Sequence, residues 1–184
     1  MLLCIQIADA QLSIGISIGG IGYHPKADSN SKFYKWKLDK KGKFVGYSSL
    51  SFIVSYRFND YVGIKLNHTY IFHDCAGKRA GFTHLGINLY DDIVGWHNSL
   101  NEFSLSLGPL WYYRKNWSKE PAYKNNPRFM KLSTDKVWER KFVWHGGTIE
   151  YEYKYSTNNS LSINFLPGYP FLYTAIFEIK NTLP

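Results

Sequence analysis

The sequence contains little cysteine and no long hydrophobic run. Cys4 and Cys75 are its only cysteines, and without a Cys-x-x-Cys pair they exclude a disulfide framework and the usual zinc or redox motifs. No stretch approaches the roughly 18 consecutive apolar residues of a membrane-spanning helix, so the sequence predicts none. Helical periodicity is scarce, and no internal repeat or low-complexity linker divides the chain, which indicates a single domain without helices as its main elements.

Aromatic residues and strict alternation are abundant instead. The 184 residues include 15 Tyr and 6 Trp, whose amphipathic rings suit a membrane–water interface. From Leu12 to Ile18 every even position is Leu or Ile, whereas Ser and Gly occupy the odd positions. This period of two recurs along the chain and predicts strands with one apolar and one polar face. The eight predicted strands centre on residues 12–18, 44–58, 62–67, 84–89, 102–111, 148–155, 160–165 and 173–180.

The connections between these segments alternate between short and long. Short turns are predicted at residues 59–60, 91–100 and 157–159, at the end where both chain termini fall. Longer loops are predicted at residues 24–43, 74–80 and 114–141, with a compact loop at 167–170. This arrangement predicts an all-β fold, an eight-stranded antiparallel up-and-down transmembrane β-barrel.

The polar strand face distinguishes a membrane barrel from a soluble lipocalin-like lipid-binding barrel, which has its apolar face inside. In the first two strands this face is mainly Ser and Gly, which are small enough for a crowded interior. Opposite charges from later strands could pair in a narrow lumen. We therefore favour the membrane barrel and keep the soluble barrel as an alternative. The predicted lumenal charges are Arg57, Lys65, Glu102, Glu150, Glu152 and Glu178.

Strand number, alternation and loop layout together resemble the small eight-stranded bacterial outer-membrane β-barrel proteins. This resemblance implies a place in the bacterial outer membrane, and we expect a monomer. Residues 1–10 look like a signal-peptide remnant, because Ala8-Asp9-Ala10 fits a small-x-small cleavage site, although a frayed strand would also explain them. Residues 11–184 would then form the barrel. The resemblance also implies an aromatic C-terminal residue, whereas the last aromatic residue here is Phe177.

Positive charge is concentrated in the predicted long loops. The loops at 24–43, 74–80 and 114–141 carry +12, so the remainder of the chain carries −4 of the net +8. Basic side chains at the cell exterior could neutralise lipopolysaccharide phosphates or contact an external partner, although a solvated rim without a ligand is also possible. Nucleic acid is a poor candidate because the strands lack a stacking motif. The predicted lipopolysaccharide contacts are Lys35, Lys37, Lys40, Lys41, Lys43, Lys78, Arg79, Arg114 and Lys115.

A short His-x-Ser motif provides the alternative, a lipid A-modifying or lipid esterase or acyltransferase barrel enzyme. His97 and Ser99 have the spacing found in lipid A deacylases and outer-membrane phospholipases, where His activates Ser to attack an ester. Glu102 or Asn101 could orient the histidine. The motif is three residues long and falls in a predicted periplasmic turn, so we favour polar turn residues and a non-enzymatic barrel.

A second local resemblance is to the lipid A palmitoyltransferase barrel. Residues 39–44 are similar to the entry of that family's second strand, Pro167 to its wall-opening proline, and His24 to its loop histidine. The family's Asp-Ser pair has no counterpart at residues 52–55, so its activity is not transferred. His73, Asp74 and His84 lack tight ligand spacing, so we predict hydrogen bonding rather than a metal, and no cofactor.

Overall fold

The computed structural model describes residues 11–25, 31–91, 99–119, 121, 133–135, 137–168 and 172–183. The predicted leader at residues 1–10 and the candidate His97 lie outside these residues. Within the part of the chain that is described, no helix is long and apolar enough to cross a membrane. Two short 3-10 turns, Ser31–Phe33 and Trp117–Lys119, lie in loops. The strands are β1 Gln11–Tyr23, β2 Phe44–Arg57, β3 Val62–His73, β4 Ala80–Tyr90, β5 Asn101–Lys115, β6 Ser133–Asp135, β7 Trp138–Lys154, β8 Asn159–Gly168 and β9 Leu172–Leu183.

The strands form one closed antiparallel sheet. Its order is β5-β4-β3-β2-β1-β9-β8-β7-β6, and an additional β5–β7 pairing closes the ring. β6 pairs only with the start of β7, so the ring itself contains the eight other strands. Closure removes the exposed sheet edges on which other chains could pair. The predicted eight-stranded up-and-down barrel is confirmed, with β6 as a short addition that the sequence did not reveal.

Alternation along the strands separates the two faces of the wall. In β2, Ser49, Ser51 and Ser55 are buried inside the ring, whereas Phe52 and Val54 are exposed on its outer surface. Small polar residues fit the interior because an eight-stranded barrel has little room for side chains. The apolar outer surface follows from the same period of two.

Bulges shift this alternation in several strands, among them β1 and β5. In β1 the register slips between Ile18 and Gly20, so that Ile18 and Ile21 both face outward although one is even and the other odd. Gly19 has a φ of 76°, which glycine adopts readily. In β5 the slip lies between Gly108 and Leu110, around a proline that the ladder tolerates only at such a position.

β7 is longer than the sequence indicated. The predicted strand begins at residue 148, whereas β7 begins at Trp138 and pairs with the outer part of β5 as far as Lys115. The loop predicted at 114–141 is correspondingly shorter. Charged residues near 139–141 and a bulge near residue 144 obscure the alternation, and the long β5 partner imposes the strand conformation.

Candidate functional site

The lumen near the short turns contains a buried ionic network. Lys65 is fully buried, and its Nζ lies 2.5 Å from both Glu150 Oε2 and Asn164 Oδ1. Lys180 Nζ contacts the other oxygen of Glu150 and lies 2.8 Å from Glu152 Oε2. Each carboxylate oxygen of Glu150 thus meets a lysine, which compensates the loss of hydration that burial imposes.

A second group of charges lies at the turn-end mouth of the lumen. Arg57 Nη1 and Lys154 Nζ lie 2.7 and 2.9 Å from the same oxygen of Glu102, and the guanidinium of Arg57 lies 4.0 Å from the Tyr90 ring centroid. Glu178 is buried nearby along β9. Four cations and four carboxylates among the described residues line this half, so these eight groups together carry no net charge. They are Arg57, Lys65, Lys154 and Lys180, with Glu102, Glu150, Glu152 and Glu178.

The lumen near the long loops contains an apolar cluster that the alternation did not predict. Phe82, Leu110, Leu166 and Ile176 form a buried cluster inside the ring, with Tyr112 packed against it. The bulge at Gly108 places Leu110 inside the ring. Ile176 lies between Ala175 and Phe177, so the alternation of apolar and polar residues does not mark it as an inward-facing residue. We call these five residues the lumenal plug. In the sequence, the only indication of this cluster was the break in alternation after Gly108.

The three residues considered for a metal lie apart. His73 is exposed, with Nδ1 3.4 Å from Ser48 Oγ, whereas His84 is fully buried in the lumen. Asp74 Oδ2 lies 2.5 Å from Arg114 Nε at the loop end. Among the described residues no group of three His, Cys, Asp or Glu side chains could hold a metal ion.

The residues of the enzymatic alternative are not gathered by the part of the chain that is described. Ser99 is exposed in the turn before β5. Glu102 points into the lumen, where its carboxylate is engaged by Arg57 and Lys154. The carboxylate of Glu102 is therefore committed to the ionic network rather than directed at an exposed serine.

The residues shared with the palmitoyltransferase pattern lie in ordinary structural environments. His24 is buried and stacks on Tyr34, with ring centroids 5.6 Å apart. Pro167 pairs with Tyr173 of β9 and lies beyond Ile149–Phe165, the last β7–β8 pair. His24 therefore packs within the loop, and the backbone of Pro167 continues the β8–β9 ladder.

Most of the predicted basic contacts are accessible at the loop end. Lys35, Lys37, Lys40, Lys41 and Arg79 are exposed, and Lys43, Lys78 and Lys115 are half-buried. Arg114 differs, because it is only 9% exposed and pairs with Asp74 inside the loop end. Its guanidinium is held by that pair, and we exclude it from the external set. The accessible residues 35, 37, 40, 41, 43, 78, 79 and 115 are called the basic crown.

The β1–β2 loop holds most of the crown in a regular hairpin. Lys37 bridges to Val45, and the Leu38 N–H donates to the Phe44 carbonyl at 2.9 Å. The Asp39 carboxylate accepts hydrogen bonds from the N–H groups of Phe44 and Lys41, at 2.8 and 3.2 Å. The Phe44 N–H is the largest cause that lowers the pKa of Asp39 below its usual value. The lysines are thus presented by an ordered turn.

The β3–β4 turn supports this hairpin from the side. The Lys35 N–H donates to the Cys75 carbonyl at 2.8 Å. Asp74 in turn accepts hydrogen bonds from the N–H groups of Ala76 and Lys78, at 2.9 and 2.8 Å. These bonds join two loops and fix the spacing of the crown.

Apolar side chains alternate with the lysines of the hairpin. Phe33 and Trp36 are exposed, and Leu38 is 60% exposed although it lies over Gly46 of the outer wall. Exposed apolar side chains next to lysines suit the boundary between acyl chains and headgroups. Charge density predicted the basic character of this loop, whereas the exposure of its apolar side chains is visible only in the structure.

The outer wall of the ring is apolar, whereas the charged side chains of the strands lie inside. Leu, Ile, Val and Phe side chains are exposed around the ring, while lysines and glutamates are enclosed and paired. That distribution is the reverse of a soluble barrel and is what a bilayer requires. The protein is a small eight-stranded transmembrane β-barrel.

Comparisons with solved structures agree on the fold. Ail, the attachment invasion locus protein of Yersinia pestis, has been solved alone and in complex with the heparin analogue sucrose octasulfate. These two structures match with TM-scores of 0.52 and 0.51 at 10% and 11% identity, over 95% of this chain and 99% of Ail. The N-terminal β-barrel domain of Pseudomonas aeruginosa OprF matches with a TM-score of 0.52 at 12% identity, over 95% of this chain and 100% of that domain. No protein-family model and no curated protein matches the sequence.

Proposed function

We propose that the barrel is a non-enzymatic outer-membrane protein whose basic crown binds the phosphates of lipopolysaccharide. The observation that carries this proposal is the hairpin at residues 35–44, in which exposed lysines alternate with exposed apolar side chains. An anionic glycolipid has both matching parts, because its phosphates meet the ammonium groups and its acyl chains meet Trp36 and Leu38.

The electrostatics favour an anionic partner over a neutral one. Asp39 is the only carboxylate between residues 31 and 43, and it is used to hold the turn. Asp74 is engaged by Arg114 and by the turn that it caps. The crown therefore presents a net positive charge to the exterior, and each exposed lysine contributes a weak, screened attraction.

The direct test is association of the refolded barrel with vesicles that contain or lack lipopolysaccharide. Binding should be selective for the lipopolysaccharide vesicles and should weaken as salt rises, since exposed charges are screened within about 8 Å at physiological ionic strength. Substituting Lys35, Lys37, Lys40 and Lys41 with Gln should reduce binding stepwise, with no single lysine decisive. The same four positions substituted with Arg form the matched control and should retain binding.

Sucrose octasulfate offers a soluble polyanionic probe, because Ail was crystallised with it. Competition by this probe should release the wild-type barrel from the vesicles. Equal binding by the Gln and Arg variants would contradict the proposal.

The same preparation also tests the enzymatic alternative. If the barrel is non-enzymatic, mass spectrometry of lipid A after incubation should show unchanged acyl chains. An acyl chain gained or lost, and restored to normal by His97→Ala, would replace the binding function with catalysis.

A further inference from the structure

A groove of about 540 Å³ lies on the loop-end wall, on the side formed by β3, β5 and β7. Its walls are aromatic: the Trp111 and Phe142 ring centroids are 5.0 Å apart, and those of Tyr113 and Trp138 are 6.0 Å apart. Trp111 and Phe142 are also among the exposed residues of the wall. The groove is lined by six aromatic residues and by two cations, Arg140 and Lys141.

The sheet fixes the position of the central ring. Gly81 pairs with Tyr70 on one side and with Tyr113 on the other. A Cβ at Gly81 would lie 2.3 Å from Tyr113 Oη, so the missing side chain makes room for this ring. The Tyr113 hydroxyl donates to the Thr69 carbonyl at 3.2 Å, and His68 stacks on the ring at 6.3 Å. The groove is therefore a preformed feature of the wall.

Cations lie at its loop-side end. Arg140 is exposed and pairs with Tyr113 in the ladder. Lys115 pairs with Trp138, and its N–H donates to the Arg79 carbonyl at 2.9 Å, which brings a second and a third basic residue to the same edge. No carboxylate lines the groove among the described residues. The neighbouring Glu139 is buried and accepts hydrogen bonds from Ser118.

We infer that this groove binds one acyl chain of lipid A, with a lipid A phosphate at Arg140. The groove opens on the surface that faces the bilayer, so its occupant comes from the lipid, and its aromatic walls suit an acyl chain. The basic end selects a phosphorylated headgroup over a zwitterionic one. This inference rests on the proposed lipopolysaccharide binding and assigns it a lipid-wall site separate from the β1–β2 hairpin.

The experiment measures lipid that remains bound after detergent exchange, by native mass spectrometry of the refolded barrel. The probes are bisphosphorylated lipid A, monophosphoryl lipid A and phosphatidylcholine. The wild type should retain one lipid A, less of the monophosphoryl form, and little phosphatidylcholine. The double variant Trp111→Ala, Phe142→Ala should lower retention of every lipid about tenfold, whereas Arg140→Gln should mainly remove the preference for the second phosphate.

Trp144→Ala is the matched control, because Trp144 is 73% exposed on β7 and does not line the groove. Each variant is first shown to be folded by its faster gel migration before heating. Equal retention by wild type and the double variant would overturn the groove site, as would equal retention of lipid A and phosphatidylcholine by the wild type. The proposed function is tested separately by vesicle binding. If that binding still depends on the crown lysines, the proposed function holds even when the groove site fails. If it does not depend on them, the proposed function is wrong.

Discussion

Glu150 occupies the most demanding position in the barrel interior, since it is buried with Lys65 on one oxygen and Lys180 on the other. A buried charge is tolerated when its partners are in place, and becomes costly when one partner is removed. The interior residues are therefore interdependent. Neutralising one of these side chains leaves an unbalanced charge buried in the lumen.

Glu150→Gln should destabilise the barrel strongly for this reason. We expect a loss of about 3 kcal/mol in the free energy of unfolding, because both lysines lose their shared carboxylate. Urea unfolding in lipid vesicles measures the loss. Glu152→Gln is the control, since Glu152 is less buried and contacts only Lys180 in the network described above. A larger effect at Glu152 than at Glu150 would contradict the arrangement.

A charge on the outer face should be costly for a different reason. Leu107 is exposed on the wall of β5 and pairs with Ile87 and Gly147. Leu107→Arg should lower the stability in vesicles by roughly 2–4 kcal/mol, and Phe103→Arg, nearer the turn end, by less. Leu107→Met should be nearly neutral. If Leu107→Arg matched Leu107→Met, this face would not contact the hydrocarbon core.

At the scale of elements, period-two alternation was sufficient to predict the barrel strands, because each wall residue has either lipid or lumen on its side. It failed where bulges shift the phase, as at Ile21 and Leu110, and where a partner strand dictates conformation, as at the start of β7. The crown lysines could be predicted from charge density. The pairing of Arg114 with Asp74 could not, because it depends on how two loops meet in space.

The β1–β2 hairpin provides an element-scale prediction about pH. The pKa of Asp39 is lowered in the folded hairpin, chiefly by the Phe44 N–H, so its contribution is present above the ordinary aspartate pKa and is lost as pH falls through the lowered value. After correction for intrinsic exchange rates, protection of the Phe44 amide from hydrogen exchange should therefore decrease with acid. Asp39→Asn keeps an acceptor without this titration, and its protection should be less dependent on pH. The same acid dependence in both proteins would assign the effect to another group.

At the scale of the whole molecule, the two halves of the lumen are obstructed in different ways. The turn-end half is crossed by paired charges, and the cavity beside them has a volume of only about 30 Å³. The loop-end half contains the apolar lumenal plug. The described part of the lumen is therefore obstructed in both of its halves.

This closed interior predicts that the purified barrel does not form steady ion channels in planar bilayers. Conduction needs a continuous water path, and an apolar cluster in a narrow ring excludes it, as does an ion-paired network that leaves little free volume. The double variant Phe82→Ala, Leu110→Ala removes part of the plug but leaves Glu150 between its two lysines, so it should also remain silent. A general porin added to the same bilayer confirms that channels are detectable. Discrete, reproducible conductance steps from the wild-type protein would show that the lumen opens, and a signal found only in the plug variant would show that the ionic network alone does not block ions.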